Sequence, residues 1–463
     1  MNQGGGSAKV DWNLPGHVLT SITAYRFWNW KPRNDADGTA LPVLTEAYNE
    51  SKQRQFTQEV RLASAGKNTI DYVVGAFYFH QKLDSHALTS YGSAAPIWLL
   101  GQSTVATQAA LNGFAVTGDS RLRTNSYAAF GQGTWNISDR LALTVGARYT
   151  KEKKTGSFVQ TVDGPDLSGL SPTDLAIARG SRAAFGAPNA YTNGTKESKL
   201  SGQANLSYKF SDGVLGYATY AHGFKSGGLT LTNVGPTVPT TIEPESIDHY
   251  EVGLKTRTAD QVLTVNVAAF WTIDKNYQAT LYDPIKTTTY VSNVGKVRSR
   301  GIEAEGSVKL AEGLTAYGAV TYLDAKYLSF KNSTCPIEIQ ASFCDLSGRV
   351  LPGAPKWSGA VGGEYSHPVT PDVEAYVGFD YSYRSSIYYA SNLAASSRIP
   401  GYSLVNARVG ARIDERFDVS VWARNLFNKD YFSTLQPAAF NTGLVSGVLG
   451  DPRVIGFTGR VRF

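Results

Sequence analysis

Glu303 and Glu305 are spaced so that one β-strand places both side chains on the same face. Paired carboxylates at that spacing can do general acid–base work. The same spacing also suits charge that lines a wet interior, and the rest of the chain favours that reading. By the same parity Arg148, Lys255, Arg384, Arg408 and Arg412 fall on the equivalent face of other strands, and Glu59, Arg61 and Glu251 join them. Water screens such charges from one another. Gly223-Phe224-Lys225-Ser226-Gly227-Gly228 lacks the spacing of a phosphate-binding loop and opens no helix. His17, His80, His86, His222, His249 and His367 show no metal-ligand spacing. No Ser/His/Asp arrangement is visible. The residues therefore predict no enzyme, no metal and no cofactor.

The elements that position these residues are strands. Helical periodicity is almost absent, and period-2 segments come in pairs. Leu141, Leu143, Val145, Ala147 and Tyr149 fall on one face, and Ala142, Thr144, Gly146, Arg148 and Thr150 on the other. Paired segments are expected at 7–14 with 17–30, 51–64 with 69–83, 124–136 with 140–150 and 198–210 with 213–226. They continue at 245–257 with 261–276, 291–310 with 313–328, 355–367 with 371–386 and 400–413 with 416–431, and 452–463 closes the series. Within pairs the turns are short, such as Pro15-Gly16. Between pairs the connections are long: 31–50, 84–123, 155–197, 227–244, 277–290, 329–354, 387–399 and 432–449. Short turns alternating with long loops put each kind on its own rim, the pattern of an all-β, antiparallel, up-and-down transmembrane β-barrel. Seventeen strands are expected. Aromatic residues near strand ends (Tyr25, Phe27, Trp28, Trp30, Tyr381, Tyr383) suit interfacial belts.

Composition agrees. Charged residues make up 18%, below the roughly 25% usual in soluble proteins. Aromatics reach 12%. No stretch approaches the ~18 consecutive apolar residues of a membrane-spanning helix. A net charge of +6 without a clustered basic run predicts no nucleic-acid partner. Residues 1–20 lack the basic and apolar regions of a secretory signal. Cys335 and Cys344, the only cysteines, share one long loop with eight residues between them. On an outward-facing rim they are expected to form a disulfide, which restricts the unfolded chain by ~2.6 kcal/mol in the chain-entropy model. Two free thiols are the alternative in a reducing compartment.

Several segments resemble the TonB-dependent receptors of Gram-negative outer membranes. They are FTQEVRLAS (56–64), GARYTKEKK (146–154), YATYAHGFKSGGL (217–229), EPESIDHYEVGLKT (243–256), SRGIEAEGS (299–307), PGAPKWSG (352–359), NLFNKDY (425–431) and GDPRVIGFTGRVRF (450–463). They follow the family's order along nearly the whole chain. The resemblance implies a barrel of 22 strands with a plugged lumen, and uptake of scarce, large ligands, most often ferric siderophores. Energy would come from the TonB complex of the inner membrane. It also implies that the last strand is read by the barrel-assembly machinery through Ile455, Phe457, Val461 and Phe463.

Counting back from Phe463 as the end of strand 22 makes 7–14 the sixth strand. Residues 1–463 are then expected to be one partial barrel domain, without plug, signal peptide and about five strands. Ligand contacts are expected from loop residues Tyr91, Trp98, Tyr191, Tyr282, Lys286, Tyr290 and Arg398. The alternatives are a passive outer-membrane porin, a receptor for a glycan or vitamin, and a soluble extracellular β-protein.

Overall fold

The computed structural model describes all residues except 34–36, 235–237, 284–287, 337, 342, 415, 438–444 and 463, and the side chains of 282, 283, 288, 289, 436 and 437. Seventeen strands form one antiparallel sheet. They are β1 (Asn2–Leu14), β2 (His17–Trp30), β3 (Leu44–Ser64), β4 (Ile70–Tyr91), β5 (Ala115–Asn136) and β6 (Leu141–Asp163). There follow β7 (Asn189–Ser211), β8 (Val214–Lys225), β9 (Glu245–Arg257), β10 (Leu263–Lys275), β11 (Lys296–Ala311) and β12 (Leu314–Ser329). The last are β13 (Trp357–Thr370), β14 (Val373–Arg384), β15 (Tyr402–Ile413), β16 (Phe417–Arg424) and β17 (Val454–Val461). Each pairs with the next in chain order, so the sheet is a continuous meander.

Register explains why the strand pattern holds. Val377, Val409, Val421 and Phe457 stand abreast on four neighbouring strands. All four are exposed, Val409 to 58%. Val145, Val252, Ile302, Val320 and Val361 are exposed in the same way further round the sheet. An apolar surface of this extent requires lipid against it. Short turns join strand pairs at one rim. Gly313 makes the β11–β12 turn at φ 73°, where a Cβ would meet the Ser366 carbonyl at 2.0 Å, so only glycine fits.

The structure departs from the sequence reading at the other rim. Strands β3 to β7 run 21–23 residues, well past the expected ends. Beyond the lipid an exposed face no longer has to be apolar, so segments such as Thr155-Gly156-Ser157 carry no alternation to read. The connection expected at 84–123 therefore contains strand ends and two helices, α1 (Ala95–Leu100) and α2 (Val105–Leu111). That at 155–197 contains α3 (Pro172–Phe185). Thr104 caps α2 in a reciprocal capping box with Thr107, and Ser171 caps α3. Small two-stranded pairings fold within four other connections: Gly228–Leu229 with Thr241–Ile242, Gln278–Asp283 with Thr288–Asn293, Ile387–Tyr388 with Arg398–Ile399, and Phe432–Pro437 with Val445–Leu449.

Two smaller corrections follow from local geometry. β16 ends at Arg424 rather than near 431. Asn425 takes a left-handed φ of 47°, accepts from the Lys429 N–H at 2.8 Å and donates to the Asp451 carbonyl at 3.0 Å. Trp28 and Trp30 stack on each other at 5.8 Å, on the face opposite Tyr25 and Phe27, as period 2 requires.

Candidate functional site

The face opposite the exposed aliphatic residues carries the charge. Glu59, Arg61, Arg148, Glu251, Lys255, Glu303, Glu305, Arg384, Arg408 and Arg412 all lie on it by register. The structure gathers them into local groups. Arg408 bridges Glu364 and Asp380, each at 3.1 Å. Arg412 reaches the other Glu364 oxygen at 2.6 Å and Glu374 at 3.0 Å. Tyr376 lies under the Arg412 guanidinium at 4.4 Å and donates its hydroxyl to Asp418 at 2.7 Å. This ladder crosses four strands, β13 to β16.

A second group centres on Tyr217. Its hydroxyl donates to Glu251 at 2.7 Å, and Lys255 approaches its ring at 5.5 Å. Lys255, Asn266 and Glu305 share one register row, and Asn266 donates to Glu305 at 3.0 Å. Glu303 stands exposed one row away. Arg61 meets Glu59 at 3.2 Å. Arg148 lies over the rings of Phe77 and Phe130. Glu303 and Glu305 thus belong to a broad polar wall.

Glu364, Glu374, Tyr376, Asp380 and Asp418 complete the ladder, and none was among the expected site residues. Their parity placed them on this face. Their partners were hidden because Arg408 and Glu364 lie two strands apart, and a sequence does not print that register.

Aromatic rings on the polar face lie across glycines of neighbouring strands. A Cβ on Gly410 would meet Tyr376 Cζ at 2.6 Å and the Val419 carbonyl at 2.5 Å. Gly410→Val is expected to cost about 1–3 kcal/mol through overpacking, read as a lower urea midpoint of the folded protein. Tyr376→Ala in the same chain should recover part of that loss.

Two apolar clusters at the long-loop rim hold aromatic residues expected to contact ligand. One unites Tyr91, Leu111, Phe114 and Ala178 with Trp98 and Phe185 beneath α1, α2 and α3. Tyr91 is buried there, its phenol pushed up to about 12 by burial, and Trp98 packs against the same cluster. Tyr91 is thus a core residue of this cap, and Trp98 lies half-buried against it. The other cluster unites Leu281, Val297, Tyr327 and Phe330, with Tyr290 and Tyr388 against it. Burial, with the Glu245 and Asp274 carboxylates nearby, raises the phenol of Tyr277 there. Tyr191 packs on Phe158 and donates to the carbonyls of Thr230 and Thr232 at 2.8 and 3.1 Å. Arg398 is exposed and donates to Ser386 at 3.2 Å. Lys286 lies outside the described residues, as do the side chain of Tyr282 and the whole of Phe463. Ile455, Phe457 and Val461 are exposed on the apolar face of β17.

Arg384 stands at this rim above Tyr402, 4.8 Å from its ring. Its Nε and Nη2 are buried without a hydrogen-bond partner among the described residues. Cys335 and Cys344 are joined as a disulfide, beside a bridge between Ser333 and Cys344. Alkylation of the unreduced, folded protein should modify no thiol, and reduction should release two, read by intact mass. Among the described residues no group of three or more His, Cys, Asp or Glu is placed to hold a metal.

A meander with an exposed aliphatic face, a charged opposite face, short turns at one rim and capped loops at the other is a transmembrane barrel of the Gram-negative outer membrane. The chain belongs to the TonB-dependent receptor family, whose model, described as TonB dependent receptor-like, beta-barrel, matches residues 3–426. It is 26% identical over 335 residues to the ferric-pyoverdine M114 receptor PbuA of Pseudomonas sp. (strain M114), covering 71% of this chain and 35% of that protein. It is 25% identical over 259 residues to the ferrichrome outer membrane transporter/phage receptor of Escherichia coli K12, covering 54% and 30%. The chain thus spans about a third of the length of these relatives. In fold it is similar to the ferric yersiniabactin uptake receptor FyuA from Yersinia pestis, with TM-score 0.77 and 18% identity over 100% of this chain and 61% of that one.

Proposed function

We propose that the chain supplies 17 strands of the wall of an energy-coupled outer-membrane receptor that takes up a ferric siderophore, and that it performs no enzymatic step. The observation that carries this reading is the ladder of Arg408, Arg412, Glu364, Glu374 and Asp380 on the face turned away from lipid. Charges this dense belong against water or a folded polar domain, so that face lines the lumen. The names of the relatives, receptors for ferric pyoverdine and ferrichrome among them, support a ferric chelate as cargo.

At the rim, Arg384 and Arg398 flank Ser385 and Ser386, and they suit an anionic chelate. Tyr191 and Tyr290 stand on the walls of the same mouth. Energy would come from the TonB complex acting on a plug, and residues 1–463 would be a partial barrel domain of a longer receptor of the relatives' kind. Ile455, Phe457, Val461 and Phe463 would form the signal for the barrel-assembly machinery, and outer-membrane lipid would surround the apolar face.

Uptake of a radiolabelled ferric siderophore by cells expressing the receptor tests this. It should saturate and stop when the inner-membrane energy source is collapsed. Unsaturable uptake that ignores that energy source would identify a passive porin. Saturable uptake of a vitamin or glycan, with none of any ferric chelate, would reassign the cargo.

A further inference from the structure

Charges that look scattered along the sequence are gathered by register on the lipid-facing side. On the face that carries Val60, Val74, Tyr127 and Tyr149, Arg54 stands directly opposite Lys82, and Lys82 directly opposite Arg123. In the row nearer the apolar band, Lys153 stands opposite Lys196. In the row further out, Asp84 separates Lys52 from Arg121. Arg54, Lys82, Arg123, Lys153 and Lys196 are all exposed, and none has an ion pair or side-chain hydrogen bond among the described residues.

Like charges directly opposite one another on neighbouring strands destabilise the pair. Three in one row, with strands about 4.8 Å apart, make a sustained repulsion. The opposite sector of the same face shows the usual remedy. There Arg298, Arg300 and Lys326 all meet Asp324, at 2.8, 3.0 and 3.4 Å, and Lys275 meets Asp248 at 3.0 Å. On β3 to β7 the only carboxylate in the three rows is Asp84, 3.9 Å from Arg121. One row further out, Glu50 is held by Arg33 at 2.8 Å and Asp119 by His86 at 2.9 Å, so further negative charge for the Arg54 row has to come from outside the chain.

Position says what supplies it. The row lies just beyond Tyr78, Tyr127 and Tyr149, which sit on the same face where aromatic side chains mark the membrane interface. Lipid headgroups lie at that level. We infer that Arg54, Lys82 and Arg123, with Lys153 and Lys196 below them, bind the phosphate groups of an anionic lipid of the outer leaflet. Arg supplies a planar fork for phosphate, and Lys a point charge. The inference rests on the transmembrane barrel alone and is independent of the cargo.

The test uses the full chain, folded in a non-ionic detergent, with diphosphoryl lipid A as the probe. The unchanged protein should bind it at least fivefold more tightly than the same lipid stripped of its phosphates. The triple variant Arg54→Gln, Lys82→Gln, Arg123→Gln should lose at least fivefold in affinity. Arg140→Gln, Lys209→Gln, Arg257→Gln at the short-turn rim removes the same charge and should stay within twofold. In detergent free of phosphate the first triple variant should also melt higher, because its repulsion is gone. Smaller losses than fivefold would overturn the inference, as would equal binding of the dephosphorylated lipid. Inorganic phosphate alone binding as tightly as the lipid would overturn the lipid assignment. Heat-modifiable gel mobility verifies folding. If the triple variant does not fold, the single exposed change Lys82→Gln and the two lipids on unchanged protein decide.

Discussion

Val409→Arg is expected to cost the folded protein about 2–4 kcal/mol, the range for a charge facing lipid near the bilayer midplane. Val409 stands between Val377 and Val421 with no polar neighbour abreast of it. An arginine there has only hydrocarbon to meet. One residue back, Arg408 points the other way, into Glu364 and Asp380. Arg408→Ala breaks a half-exposed network in a wet interior and should cost about 1 kcal/mol or less. Unfolding by urea in lipid vesicles measures both. Equal tolerance of the two changes would mean that the faces are not lipid and lumen, and the barrel reading would fall with it.

Phe114→Ala should cost the cap about 3–5 kcal/mol, the range for removing a buried phenylalanine. Phe114 is 1% exposed and lies 6.0 Å from the Tyr91 ring. Arg182 covers its other side at 5.5 Å and donates to the carbonyls of Ala109 and Ala110. One ring thus ties α2 and α3 to the ends of β4 and β5. Limited proteolysis should then cut within 95–113 and 164–186 while the strands stay protected. If cleavage there is unchanged, the cap is held by something other than this cluster.

The number and order of strands were legible because lipid imposes a strict rule on part of each strand. Where Val405, Ala407, Val409 and Ala411 must face hydrocarbon, nothing polar can replace them, and the period shows. Once a strand leaves the lipid, that rule lapses. The upper parts of β5 and β6 read as loop because Thr117, Gly118 and Thr155 to Ser157 satisfy a strand without advertising one. Tyr91 and Trp98 were visible as aromatics in a connection. Their burial was not, because α3, which completes their cluster, lies some 80 residues later in a connection with weak periodicity. The polar face was legible by parity, but its pairing was not, since Arg408, Glu364 and Asp380 come from three strands.

The five long strands have a thermodynamic consequence. β4, with 22 residues, extends roughly 75 Å at about 3.4 Å per residue, where about 9–11 residues suffice to cross. The excess carries its hydrogen-bond ladder into water, so this sector presents a braced wall whose backbone entropy was lost on folding rather than on contact. The sector from β8 to β17 has strands of 8–16 residues and reaches outward mainly through connecting segments. For the uptake proposed above, a wall already ordered in this way would meet a cargo at little ordering cost.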